Sequence, residues 1–175
     1  MLEGTGESVT AAAPAVAFNF LADPRNAGLW FAGAGFEEPP TGPPRAGQTW
    51  SFAQTPGTRR VQPVRMSIYE PPSRFVWETR LPTVLTNFTW EMRCDPAGAE
   101  RPGGTHLRLT YRLRPGLVQW LTTAVGFSLV GRALHEQAQR AADRAAEALS
   151  AASSPSSGQP NNERGNDAGR KRKRR

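Results

Sequence analysis

The sequence predicts an α+β fold in which an antiparallel sheet with one face in water precedes a long amphipathic helix. Two observations carry this expectation. The first is a period of two in three successive segments. Phe75, Trp77, Thr79 and Leu81 alternate with Val76, Glu78 and Arg80, and Phe88, Trp90, Met92 and Cys94 with Thr89, Glu91 and Arg93. Leu107, Leu109, Tyr111 and Leu113 alternate with Arg108, Thr110 and Arg112. One apolar and one charged face per strand is the mark of a half-buried meander. The second is a change of spacing after Gly116, where Leu117, Leu121, Ala124, Val125 and Leu129 recur three and four apart, followed by an Ala-rich stretch to Leu149 that exposes Arg140, Asp143, Arg144 and Glu147. That pattern is one long amphipathic helix.

The remaining elements follow in order. Pro14 suits the first turn of a helix that places Val16 and Phe20, then Ala17 and Leu21, at helical spacing. Asp23 before Pro24 predicts an N-cap with proline at the first helical position. Glu37 to Gln48 holds four Pro and two Gly and reads mostly as loop. Val64, Met66 and Ile68 add a fourth strand, and Glu70-Pro71-Pro72 and Pro102-Gly103-Gly104 supply turns. Pro115 to Gly131 is an uncharged run of 17 residues, at the lower limit of a membrane span. Its Gln119, Thr122, Thr123, Ser128 and glycines argue instead for a helix lying on an apolar sheet.

With 175 residues, 38% of them hydrophobic, and 33 Gly and Pro together, the chain has the composition of a globular domain rather than of a disordered one. One cysteine, Cys94, and two histidines, His106 and His135, exclude a disulfide scaffold and a Cys/His metal module, and no metal or cofactor is expected. The single thiol and an N-terminus bearing Glu3 and Glu7 without a basic residue point to the cytoplasm. The net charge of +7 is unevenly placed. Of 22 basic and 15 acidic residues, 7 and 2 lie from Ala151 onward, leaving 15 and 13 in the body. The basic character thus belongs largely to the tail and implies no basic groove on the fold. Two segments are expected: a domain over 1–150, and a disordered basic tail over 151–175 that is too poor in apolar residues to offset its ordering entropy. Arg170, Lys171, Arg172, Lys173, Arg174 and Arg175 form a cluster suited to weak, sequence-blind contact with nucleic acid or an anionic membrane.

Four stretches carry a family resemblance: AAAPAVAFNFLADPRNAGLW (Ala11 to Trp30), AGQTW (Ala46 to Trp50), IYEPPSRFVWE (Ile68 to Glu78) and GGTHLRLTY (Gly103 to Tyr111). In order and spacing the chain resembles the SRPBCC superfamily of START and Bet v 1-like proteins, nearest the polyketide cyclase/dehydrase group, from about Glu7 to Leu149. The resemblance implies a helix-grip fold: a curved antiparallel sheet wrapped around the long C-terminal helix, two short helices after the first strand, and a cavity between sheet and helix. It covers cyclases, lipid carriers and quinone-binding proteins alike, so function rests on the site.

In such a fold the inward face is the ligand face. Met66, Ile68, Phe75, Trp77, Thr79, Phe88, Trp90, Met92, Leu107, Leu109 and Tyr111 are expected on it, with Leu117, Leu121, Ala124 and Val125 opposite on the helix. This lining suits a flat apolar molecule held by burial and ring stacking, with Thr79, Cys94 and the Tyr111 hydroxyl as its few polar atoms. Aromatics at period two in a sheet are core more often than pocket, with Trp77 and Trp90 the best exceptions because two indoles on neighbouring strands need partners for their N–H groups. Trp30 and Trp50 fit either the entrance or the core. His106 falls on the charged face and His135 on the exposed part of the helix. Glu78, Glu91, Arg80 and Arg93 face outward, where cross-strand ion pairs worth at most about 1 kcal/mol explain them. Tyr111 is the one candidate acid. The reading is binding of a hydrophobic aromatic, polyketide-like or lipid-like molecule. The alternatives are a polyketide cyclase or dehydrase using the same cavity, and an interaction module acting through a protein partner or the tail.

Overall fold

A computed structural model describes residues 1–31, 35–38, 41–53, 61–81, 86–114 and 127–153. Strand β1 (Leu2–Thr10) leads into α1 (Pro14–Ala22), a 3-10 turn (Pro24–Asn26) and the short α2 (Ala27–Trp30). Six strands follow: β2 (Gly35–Glu38), β3 (Thr49–Ala53), β4 (Val61–Glu70), β5 (Arg74–Leu81), β6 (Thr86–Pro96) and β7 (Thr105–Arg114). The last element is helix α3 (Phe127–Ser153). The strands form one antiparallel sheet in the order β1-β7-β6-β5-β4-β3-β2, an α+β helix-grip architecture in which the first strand returns beside the last. The signals read for the N-terminal helices hold. Pro14 occupies the first turn of α1, and the Asp23 carboxylate accepts from the Arg25 amide at 3.0 Å. The buried side of α1 is Ala17, Phe18, Leu21 and Ala22, whereas Val16 is exposed.

Helix α3 seats its Leu134, Ala138, Ala142, Ala145 and Leu149 stripe on the inner face, against β1 and β7. The approach is close because the inward positions at the middle of β1, Gly4 and Gly6, are glycines. A Cβ on Gly6 would lie 2.3 Å from the Ala138 carbonyl carbon, and one on Gly4 would lie 2.4 Å from the His135 nitrogen. The Gln139 amide then covers the free edge of β1, donating to the Glu7 carbonyl at 2.8 Å and accepting from the Glu7 N–H at 3.2 Å. These two bonds occupy the Glu7 groups that an edge strand would otherwise offer for pairing with another chain.

The parity predicted for β5, β6 and β7 is observed: Phe75, Trp77, Trp90, Met92, Leu107, Leu109 and Tyr111 are buried on the inner side. Ile68 is a correction. The β4–β5 register passes from Met66↔Trp77 to Ile68↔Val76, so a bulge at Ser67 turns Ile68 to the outer face and brings Tyr69 inward, 5.3 Å from the Phe18 ring. An extra residue in one strand reverses all later side chains of that strand. The helix also runs slightly beyond the expected domain boundary, with Ala151 to Ser153 helical. Leu117, Leu121, Ala124, Val125 and the cluster Arg170 to Arg175 lie outside the described residues. Among the described residues, no helix is long and apolar enough to cross a membrane, and no group of three His, Cys, Asp or Glu could hold a metal ion.

The outer face holds a charge cluster that the solvated-face expectation understates. Glu91 lies on central strand β6 and is only 3% exposed, with Arg74 and Arg93 each at 2.9 Å and Arg112 also bonded to it. Burial works to raise its carboxyl. Hydrogen bonds from Arg112 and Arg93, with the charges of Arg112 and Arg74, outweigh that and hold it below the usual carboxylate value. Arg112 also reaches Glu3 at 2.9 Å, which ties β1, β7, β6 and β5 together.

Candidate functional site

The inner face divides into a filled half and an open half. Near the start of β5, α1 packs against β6, and Phe18, Leu21, Phe75, Met92 and Leu107 belong to one core cluster in which each is essentially without solvent. Phe18 meets Phe75 edge-on at 5.9 Å. Met66, Phe75, Met92, Leu107 and Leu109 are therefore packed core. At the other end of the strands no α1 side chain intervenes. There Phe31, Phe88, Trp90 and Tyr111 face Gln137, Arg140, Ala141 and Arg144 of α3 across a cleft of about 330 Å³. The rings form a connected wall: Phe88 to Trp90 at 4.6 Å, Phe88 to Tyr111 at 5.6 Å and Phe31 to Trp90 at 5.7 Å.

Behind this wall lies a tryptophan cluster. Trp77 packs between Trp30 at 5.6 Å and Trp50 at 5.3 Å, and a crevice too narrow for water runs between Phe31, Val64, Trp77 and Trp90. Trp30 and Trp50 belong to the core. The indole N–H groups of Trp30, Trp50 and Trp77 are buried and have no hydrogen-bond acceptor among the described residues. A buried donor left unpaired costs about 1–3 kcal/mol, so three in one cluster call for an explanation.

The polar atoms expected in the cavity separate. Thr79 is inward and buried, but its hydroxyl donates to the Pro63 carbonyl at 2.7 Å and is spent on joining β5 to β4. Cys94 sits four residues along β6 from Trp90, about 13 Å at strand rise, and so lies in the filled half. Burial and the charge of Asp95 push its thiol up to about 12, leaving it protonated and unreactive. Tyr111 does line the cleft. Burial pushes its hydroxyl well above the usual tyrosine value, which makes it a weaker acid while leaving it a hydrogen-bond donor at neutral pH. His106 lies 3.4 Å from Glu7 on the outer face, and His135 is exposed.

Sequence reasoning missed Phe31, Gln137, Arg140 and Arg144 as cleft residues. Gln137, Arg140, Ala141 and Arg144 follow the i, i+3, i+4, i+7 spacing of one helix stripe, beside the buried alanines, and that spacing was the available signal. A larger hollow of about 560 Å³ lies on the outer face, where Arg65, Arg80 and Arg114 flank Ile68 and Val76. Long hydrated guanidinium groups make it a wet trough, and it lacks the aromatic enclosure of the inner cleft.

A strand, two short helices, a returning sheet and a long helix enclosing an aromatic cleft agree with what known proteins show. A family described as polyketide cyclase/dehydrase and lipid transport matches residues 1–146. The chain belongs to this family. Among solved structures, the di-domain aromatase/cyclase BexL of the BE-7585A biosynthetic pathway superposes with a TM-score of 0.64 at 15% identity. The match covers 89% of this chain and 48% of that one. The protein SA2116 of Staphylococcus aureus, of unknown function, gives 0.63 at 13% identity, covering 86% and 94%. A protein of Arthrobacter aurescens gives 0.61 at 13%, covering 86% and 87%. At such identities the likeness establishes the fold. No curated protein matches the chain.

Proposed function

We propose that this member of the polyketide cyclase/dehydrase and lipid transport family binds a flat apolar molecule bearing carbonyl oxygens, of aromatic, polyketide-like or lipid-like type, in the cleft between β6, β7 and α3. One observation carries the reading: an open aromatic cleft stands in front of three buried indole donors that lack acceptors among the described residues. Rings stacked on Phe88, Trp90 and Phe31 supply burial. A ligand oxygen reaching past Phe31 would meet an indole N–H, and one near the rim the Tyr111 hydroxyl. Turnover in the same cleft is the second reading, favoured by one feature: the Tyr111 hydroxyl lines the open volume, where it could donate to a substrate carbonyl.

The site residues in this proposal are Trp77, Phe88, Trp90 and Tyr111 from the inward set, joined by Phe31. The domain is taken to end with α3 at Ser153, and the basic tail beyond it to make weak contacts with anionic partners. The buried, protonated Cys94 is in keeping with a reducing compartment. The test is titration of the full chain with anthraquinone, flavone and a long-chain ketone, read by tryptophan emission and by melting temperature. Quenching and stabilisation by at least one, both weakened in Trp90→Leu, are expected. Unchanged emission and melting with all three would reject the cleft as a ligand site.

A further inference from the structure

The cleft is apolar on its sheet side and cationic on its helix side. We infer that its ligand carries a carboxylate, held at the rim by Arg140 and Arg144. This inference rests on the proposed binding of an apolar molecule in the same cleft and adds a charge to it.

Four guanidinium groups of the sheet are paired with carboxylates, and Arg65, Arg80 and Arg114, which have no ion pair among the described residues, line the outer hollow and not the cleft. Arg74, Arg93 and Arg112 each stand within 2.9 Å of a carboxylate oxygen, and Arg108 stands 2.7 Å from Glu7. Arg140 and Arg144 differ. Arg144 has no ion pair and no hydrogen bond among the described residues, although Asp143 and Glu147 lie close to it in sequence. Arg140 donates through Nε to the Glu136 carbonyl at 3.2 Å, which leaves its terminal nitrogens for another partner. Its nearest carboxylate oxygen, on Glu136, is 3.9 Å away, beyond hydrogen-bond length, and Glu136 already shares its charge with Arg132 at 3.5 Å. Gln139 holds Asp143 at 3.0 Å, turned toward the β1 edge. The two arginines are one turn apart on a single stripe, so both reach the same side of the cleft.

The remaining polar groups of the lining are the Tyr111 hydroxyl and the Gln137 amide, and the described lining contains no carboxylate. A low-dielectric aromatic wall opposite two guanidinium groups concentrates positive potential in the cleft. Arginine presents paired N–H groups that match a carboxylate, so this rim selects a planar anion as well as a charge. The ligand class is an aromatic or long-chain acid, its rings or chain toward Trp90 and its carboxylate toward solvent between α3 turns.

Pyrenebutyric acid and pyrenebutanol test this as a matched pair, titrated into the full chain at about physiological salt and read by energy transfer from tryptophan to pyrene. The acid is expected to bind about tenfold more tightly than the alcohol. The preference should fall below about twofold in the double variant Arg140→Gln/Arg144→Gln, with alcohol affinity unchanged, and persist in part in Arg144→Lys. The tail is intact in every variant, so any charge attraction it adds cancels. Equal binding of the two probes, or a preference that survives the double variant, overturns the carboxylate and leaves apolar binding standing. Binding of neither probe overturns both.

Discussion

Replacement of Gly6 by alanine should be among the most destabilising single-methyl additions to this protein. The new Cβ would stand 2.3 Å from the carbonyl carbon of Ala138 and the nitrogen of Gln139. Carbon atoms in contact prefer about 3.5–4.0 Å, so the two elements must separate by more than about 1 Å. The obstruction is helix backbone, and no rotamer change relieves it. Lifting α3 loosens Leu134, Ala138, Ala142 and Ala145 from the sheet at once and stretches the two hydrogen bonds between Gln139 and Glu7. Overpacking costs about 1–3 kcal/mol, and the rigid partner places this case at about 3 kcal/mol. For a chain of this size that is a fall of about 6–12 °C in melting temperature. Gly131 is the control. It lies within α3, and a Cβ added there would meet nothing within 4 Å, so Gly131→Ala should add about 0.5–1 kcal/mol of helix propensity. Thermal unfolding followed by circular dichroism compares the pair. A Gly6→Ala protein melting within about 2 °C of the parent would show that α3 does not rest on the β1 backbone.

Glu91→Gln should cost roughly 1–3 kcal/mol in urea unfolding, because three arginines then lose the charge they share. The folded state holds this carboxyl below its ordinary value of 4.5, so the stability it contributes is complete above that value. It is lost as pH falls through the lowered one, and a parent protein whose acid unfolding midpoint matches that of Glu91→Gln would contradict the assignment. Tyr111→Phe should weaken a carbonyl-bearing ligand by roughly 0.5–1.5 kcal/mol, and if turnover is found, a loss beyond about tenfold would mark acid catalysis. Unchanged affinity and turnover would remove Tyr111 from the site. Truncation after Ser153 should abolish retention on heparin while leaving melting temperature and apolar-ligand affinity unchanged; a fall of several degrees would mean that the tail packs on the domain.

Much of the sheet was legible because β5, β6 and β7 alternate between two unlike environments, and Phe75, Trp77, Thr79, Trp90, Met92, Cys94, Leu107, Leu109 and Tyr111 are all buried on the expected face. Ile68 failed because nothing in Arg65-Met66-Ser67-Ile68 marks a bulge: there is neither glycine nor proline, and Ile68 and Tyr69 are both apolar enough to satisfy either parity. Strand β1 gave no periodic signal because the middle of its inward face is Gly4 and Gly6, where a side chain would meet the backbone of α3. Glu91 looked like any outward acid. Its burial depends on Arg74 and Arg112 arriving from the strands on either side, a matter of register. The cleft combines residues from α2's end, two strands and α3, and only the helix stripe of Gln137, Arg140 and Arg144 was written locally.

The position of the cleft follows from two rungs of the sheet. One runs Gly6, Leu109, Met92, Phe75 from β1 to β5, and the next runs Gly4, Tyr111, Trp90, Trp77. In both, inward volume rises from nothing at β1 to an aromatic ring at β5, so α3 can touch the backbone at β1 and must stand off from β5 and β6. The space between sheet and helix is therefore a wedge, and a wedge in a close-packed protein has to be filled by something. On the Gly6 rung Phe18 and Leu21 of α1 fill it. On the Gly4 rung α1 has ended, and even two indoles and a phenol leave about 330 Å³ open beneath α3. Further apolar bulk on that rung would close the cleft at a gain in burial. What stands at its helix side instead is Gln137, Arg140 and Arg144, whose polar ends have no use in a closed core and every use beside a bound molecule with an apolar body and a charged end.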